Sequence, residues 1–155
     1  MELNEVLVNK LIEKGYKIAT AESCTGGLLA SKIVEVANAS KVFDMSFVTY
    51  SNESKIKLLG VSENLIADYG VVSEEVALKM AYGVSKKAEA QVGVGISGIA
   101  GPTGDTPNKP IGMVCFGFYV NGQSYSVTKY FGNVGRNVVR NLSVAFALEF
   151  LNSVI

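Results

Sequence analysis

The chain has 155 residues, 48% hydrophobic and 18% charged, a composition that describes one compact globule spanning residues 1–155 and excludes a disordered polypeptide. Its 14 basic residues balance 14 acidic ones, so a broad nucleic-acid footprint is not expected, and the longest nearly apolar run, Ile111 to Val120, is too short to span a bilayer. There is no histidine, which removes Ser-His-Asp and Cys-His catalysis and His-containing zinc sites, and leaves Lys, Tyr, Asp, Glu or a terminal amine as the only general bases.

Residues Met1 to Glu5 are acidic and amphipathic, unlike a signal peptide. Leu3, Leu7 and Leu11, with Val8 and Ile12 beside them, keep helical spacing, and Gly15 is placed to stop that helix. A strand-like run from Tyr16 leads into Ala21-Glu22-Ser23-Cys24-Thr25-Gly26-Gly27, and an apolar-periodic helix follows from about Gly27 to Val36, with Leu28, Ile33 and Val36 inward. This strand–turn–helix junction carries adjacent hydroxyl and thiol side chains ahead of two glycines. It can present a nucleophile at a sheet edge and aim backbone N–H groups at an anion; equally, Ser23 or Thr25 can serve only as a helix cap. The two cysteines, Cys24 and Cys115, have neither disulfide-framework nor metal spacing, which fits a reducing cytoplasm.

Val42 to Tyr50 alternates well enough for a second strand. Three helices are expected next: Ser51 to Gly60, a brief one capped by Ser62 and closed by Gly70, and a longer one capped by Ser73 and running to about Lys87. Gln91 to Ser97 sets Val92, Val94 and Ile96 on one face and Gly93, Gly95 and Ser97 on the other, a nearly bare face suited to close helix packing or a ligand. Gly98 to Pro107 is too rich in glycine and proline to be anything but a loop. Ile111 to Val120 and Gln123 to Tyr130 flank Asn121-Gly122, a type I′ hairpin signal. The last helix should turn Val139, Leu142, Phe146 and Phe150 inward. Helices between the early strands require parallel crossovers and the late hairpin is antiparallel. The expected fold is therefore α/β, a three-layer α/β/α sandwich with a mixed, mostly parallel sheet.

In such a fold the loops at strand ends gather the site. They carry Ser23 to Gly27, Tyr50 to Lys55, and Ser97 to Gly104. With histidine absent, a desolvated lysine is the main substitute base, and Lys55 with Tyr50 as proton partner is the candidate. The competing reading makes Lys55 a solvated surface residue like Lys57, and Tyr50 a core aromatic at a strand end. The Ser97 to Gly104 loop, with Gly98 and Gly101, could take a phosphate on its backbone N–H groups. Arg136 and Arg140, one turn apart, could clamp it bidentately or form a solvated face.

These stretches, together with Val48 to Val61, Gly70 to Ala77, and Ser97-Gly98-Ile99-Ala100-Gly101-Pro102 followed by Lys109-Pro110-Ile111-Gly112, resemble the C-terminal domain of the competence/damage-inducible protein A family. The match runs in family order over about residues 18 to 148. The resemblance implies a nicotinamide-nucleotide amidohydrolase of pyridine nucleotide recycling: nicotinamide mononucleotide and water give nicotinate mononucleotide and ammonia, with no metal and no organic cofactor. By resemblance, Ser23 is the nucleophile, Lys55 the base and Tyr50 its partner. Thr25, Gly26 and Gly27 would supply oxyanion donors; Ser97, Gly98, Gly101 and Arg136 or Arg140 would hold the ribose phosphate. The sequence departs from the family in Asn38-Ala39-Ser40, where a Gly-Ser-Ser turn is usual, and in Gly132-Asn133-Val134-Gly135-Arg136, which stretches a Gly-Asp-Arg and leaves the arginine assignment open. An inactive nucleotide-binding module, an amidohydrolase of another phosphorylated amide, and a homo-oligomer completing its pocket across an interface remain alternatives at this level.

Overall fold

A computed structural model describes residues 1–155. Five strands, β1 (Ile18–Glu22), β2 (Phe47–Val48), β3 (Val92–Gly98), β4 (Met113–Val120) and β5 (Gln123–Tyr130), form one mixed sheet in the order β2-β1-β3-β4-β5. β1 is parallel to both β2 and β3, while β4 is antiparallel to β3 and β5. The helices are α1 (Leu3–Lys14), α2 (Leu28–Val34), α3 (Asn52–Leu59), α4 (Glu63–Tyr69), α5 (Glu74–Ala88) and α6 (Arg136–Val154). None is long and apolar enough to cross a membrane.

Local chemistry sets most element ends. Ser51, Ser62 and Ser73 each accept a backbone N–H at the start of α3, α4 and α5, and Gly15 and Gly60 close α1 and α3 in the left-handed region. Asn121 and Gly122 both have positive φ, as the type I′ turn between β4 and β5 requires.

α1, α2 and α6 cover one face of the sheet, where Val92, Val94, Ile96, Phe116 and Phe118 meet Leu7, Leu11, Ile33, Ala147 and Leu151. α5 covers the other, with α3 and α4 packed against it. The bare side of β3 is used for close helix packing. A Cβ on Gly93 would run into the Ala81 carbonyl, and one on Gly95 or Gly117 into that of Ala77, so α5 lies against the sheet backbone itself. Gly95→Ala is therefore expected to cost about 3 kcal/mol and to lower Tm by on the order of 10 °C, read by thermal denaturation.

Three expectations need correcting. The stretch 42–50 is not one strand: only Phe47 and Val48 pair with β1, and Phe43 makes a separate bridge to Ile18. Between them the chain runs along the surface, where Asp44 pairs with Lys17 at 2.6 Å and Met45 is exposed. On α6, Leu142 faces solvent, while Ser143 and Ala147 face the sheet. Small residues there let the helix approach closely, and Phe146 and Phe150 reach in from its edge to stack near Phe116 and Phe118 at 4.8 and 4.3 Å. On α2, Leu29 and Ile33 are the buried positions, with Leu28 and Val36 at the margin.

The register places the site. Glu22 sits abreast of Val48 on one side and Ile96 on the other, so Ser23, Thr49 and Ser97 leave the carboxyl ends of three parallel strands side by side. Ser23 N–H donates to Ile96 O at 3.1 Å and Thr49 N–H to Glu22 O at 2.9 Å, which fixes that row.

Candidate active site

Lys55 is among the largest fully buried side chains of the protein, 1% exposed. It stands in the first turn of α3, and a helical side chain leans back towards its helix's N-terminus. Its Nζ thereby reaches the strand end just before the helix, 2.6 Å from Thr49 O and 3.3 Å from Tyr50 O, and lies 3.0 Å from Ser23 Oγ. No carboxylate pairs with it; the ion pairs of the protein are Lys17–Asp44 and Lys32–Glu35. Burial without a counter-ion lowers its pKa from 10.5 to about 8. Lys57 is exposed, so the choice between the two lysines falls to Lys55.

The three contacts suit both protonation states: an ammonium donates to all three oxygens, and a neutral amine keeps one of those directions for its lone pair. Such a group has two N–H bonds and one lone pair. In the neutral form the two carbonyls take the N–H bonds, which leaves the lone pair for the serine hydroxyl, whose proton it can accept. This is the geometry of an activated nucleophile.

The tyrosine enters differently from the expectation. It is the backbone carbonyl of Tyr50 that meets Lys55; the phenol is turned outward, 63% of the residue exposed, and accepts a hydrogen bond from Arg136 Nη2 at 2.8 Å. Tyr50 stands between Thr49 and the Ser51 cap of α3, with its carbonyl on the lysine and its ring on Arg136. The phenol thus stands at the mouth of the cleft and makes no hydrogen bond to the lysine.

The turn after β1 is organised by a residue the sequence reading passed over. Glu22 is fully buried and its carboxylate accepts five hydrogen bonds: from the hydroxyls of Thr20 and Thr25 at 2.9 and 2.7 Å, and from the N–H groups of Gly27, Leu29 and Ala30 at 3.2, 2.9 and 2.9 Å. It does the capping that Ser23 or Thr25 could have done, and so frees Ser23 for Lys55. A signal was available: α2 has no acid in its first turn, and Glu22 is the acid closest before it.

Gly26 N–H donates to Ser23 O and Gly27 N–H to Glu22, so neither is available to an oxyanion, contrary to expectation. The N–H groups of Cys24 and Thr25 make no hydrogen bond within the protein and remain as donors. Cys24 itself is buried in the core, and burial pushes its thiol up to about 11, far from a thiolate.

A cleft of about 330 Å³ opens above Ser23 and Lys55, walled by Val71, Val72, Ser97 and Ile99. Ser97 donates its hydroxyl to Val71 O at 2.8 Å, and Gly98 lines the cleft with no room for a Cβ beside Val114. Ala100, Thr103 and Gly104, whose backbone N–H groups make no hydrogen bond within the protein, line its edge. Arg136 closes the mouth, bonded to Gly101 O at 2.7 Å as well as to Tyr50. Gly101 serves through that carbonyl and lies outside the lining. The expected arginine pair is divided: Arg140 does not reach the cleft, because its donors are engaged by Cys24 O, Thr25 O and Asn137 at 2.9, 3.0 and 3.0 Å. No group of three His, Cys, Asp or Glu side chains that could hold a metal ion is present.

Residues 1–155 match the family model described as the CinA C-terminal domain. A CinA-like protein of Kosmotoga olearia is 52% identical over 149 residues, covering 96% of this chain and 36% of its own length. The chain thus spans about a third of the curated relatives it matches. Among solved structures, a competence-damaged protein (CinA) superfamily protein of Escherichia coli superposes with a TM-score of 0.95 at 37% identity, covering 99% of this chain and 88% of that one. A competence/damage inducible protein of Agrobacterium tumefaciens gives 0.90 at 37% identity, covering 99% and 96%.

Proposed function

Because this chain belongs to the CinA C-terminal domain family, we propose that its buried serine–lysine pair makes it an amidohydrolase, with the carboxamide of nicotinamide mononucleotide as substrate. The observation that carries the reading is the lysine: fully buried, without a counter-ion, held by two carbonyls with its remaining direction on Ser23 Oγ. A lysine kept there for stability alone would be a poor choice, since burying an unpaired ammonium is costly.

Ser23 Oγ attacks the carboxamide carbon while neutral Lys55 takes the hydroxyl proton. The oxyanion that forms is met by the N–H groups of Cys24 and Thr25, each donor of this kind typically worth roughly 3–4 kcal/mol. The Lys55 ammonium returns the proton to the leaving nitrogen, the C–N bond breaks, and ammonia departs from an acyl-serine. A water molecule, deprotonated by the same lysine, then attacks the ester, giving the nicotinate carboxylate and restoring Ser23. The ribose phosphate fits the Ala100 to Gly104 edge and Arg136.

Ammonia release assayed across nicotinamide mononucleotide, nicotinamide and simple amides tests the reading. Turnover confined to the mononucleotide is the expected result; no release from any amide would leave a binding module in its place. Arg136→Ala should raise KM for the mononucleotide by roughly 10- to 100-fold, the value of one hydrogen bond from a charged group, and leave kcat nearly unchanged. On the unphosphorylated riboside the same substitution should have little effect; an equal loss on both substrates would remove the phosphate role.

A further inference from the structure

Arg140 lies behind the nucleophile turn. Its Nε donates to Cys24 O at 2.9 Å and its Nη2 to Thr25 O at 3.0 Å, from a helix 116 residues further along the chain. A trans peptide is planar, and its C=O and N–H point in opposite directions. The carbonyl of Cys24 and the N–H of Thr25 belong to one peptide group. Holding that carbonyl towards Arg140, outside the cleft, therefore turns the Thr25 N–H the other way, away from the guanidinium. The turn is fixed from its other end by Glu22, which takes the Thr25 hydroxyl and the N–H groups at the start of α2. Between these two anchors the free N–H of Thr25 has little freedom to swing.

We infer that Arg140 is a positioning residue for catalysis, which aims and polarises the Thr25 N–H as an oxyanion donor through the carbonyl of Cys24. A guanidinium on a peptide oxygen draws electron density towards it and leaves the N–H of the same group a stronger donor. The role requires no contact with substrate, and the distances to both carbonyls leave Arg140 outside the cleft. It accounts for an arginine fixed on backbone oxygens beside a turn in which the N–H groups of Cys24 and Thr25 are unpaired while those of Gly26 and Gly27 are taken.

This inference rests on the serine–lysine reading, and p-nitrophenyl acetate separates the two. The probe carries neither phosphate nor nucleotide. Its acyl carbon bonds to Ser23 Oγ, the serine proton goes to Lys55, and p-nitrophenolate leaves. Wild-type protein, Arg140→Met and Arg140→Lys are compared by the nitrophenolate burst, by mass spectrometry of the Ser23 peptide, and by kcat and KM for deamidation. Arg140→Met is expected to slow both acylation and kcat by roughly 100-fold, the lower end for a lost oxyanion donor, with KM within about threefold. Arg140→Lys should fall between, and added methylguanidinium should restore part of the rate of Arg140→Met. If Arg140→Met fails to fold, as judged by circular dichroism, Arg140→Lys decides alone: a loss in kcat with constant KM supports the role. Ser23 acylated at the wild-type rate in the variants, or a loss confined to KM for the phosphorylated substrate, overturns it. Wild-type protein unlabelled at Ser23 brings down the serine–lysine reading, and this inference with it.

Discussion

Ser23→Ala is expected to lose deamidation by roughly 1000-fold or more, as removal of an activated nucleophile does, while Cys24→Ala retains most of it. The two residues are adjacent and both can form acyl intermediates, so the contrast has to come from their surroundings. Ser23 Oγ lies 3.0 Å from the only buried amine, whereas the Cys24 thiol points into the core and burial raises its pKa to about 11. At neutral pH a thiol of that kind is about 0.01% ionised, too little to compete. Cys24→Ala should instead act on stability, through the few apolar atoms it removes from a packed site. Thiol alkylation of the native protein should leave ammonia release intact. An inactive but folded Cys24→Ala beside an active Ser23→Ala would assign the chemistry to the thiol and require a new role for Lys55.

The second large effect concerns Lys55 and pH. If the lysine must be neutral, kcat/KM should rise tenfold per pH unit from the acid side and level off above about pH 8, where the lysine titrates. At pH 6 the rate should then be about 100-fold below its plateau. Lys55→Met should abolish turnover at every pH, and Lys55→Arg as well, since a guanidinium keeps its proton. The same burial affects folding. A lysine whose pKa drops from 10.5 to about 8 on folding binds fewer protons folded than unfolded between those values. Stability therefore increases with pH through that window, and below pH 8 the protein carries the full penalty of a buried ammonium. Removing the charge relieves that penalty, offset in part by the two carbonyls left without a donor. Lys55→Met is accordingly expected to be more stable than wild type at pH 7 by about 1–3 kcal/mol, measured by urea denaturation. A flat pH–rate profile between 6 and 9 would show that Lys55 does not act as the base.

Much of this architecture was legible in the sequence because it is written locally. Serine caps, terminal glycines, the Asn121-Gly122 turn and the bare glycines of β3 each act within a few residues, and each appears where the pattern puts it. Lys55 and Ser23 were legible by another route, since the absence of histidine left few bases and both stood at strand ends. What escaped depends on distance or on backbone direction. The strand expected over 42–50 has suitable alternation, yet only two residues find a partner, because pairing is decided by β1 and not by the segment itself. Tyr50 lies at the right position but offers the lysine its carbonyl and not its ring, which is held by Arg136 from a helix 86 residues away. Arg136 and Arg140, one turn apart on the same helix, look equivalent in sequence; one faces the cleft mouth and the other the back of the nucleophile turn. Glu22 was missed because a charged residue at a strand end usually reads as solvated, whereas here five donors converge on it.

The two arginines also set the order in which the site comes into being during synthesis. The Ser23–Lys55 pair spans 32 residues, and its strands can meet once β3 has left the ribosome, but the clamp on Cys24 arrives from 116 residues downstream. At ordinary elongation rates, on the order of 10 s separates the emergence of the serine from that of the helix behind it. A nascent chain, or one cut anywhere in the segment leading to α6, has Ser23 and Lys55 but not the guanidinium that holds the Cys24 carbonyl. On the serine–lysine reading proposed above, such a chain is expected to pair Ser23 with Lys55 and yet to lack hydrolytic competence.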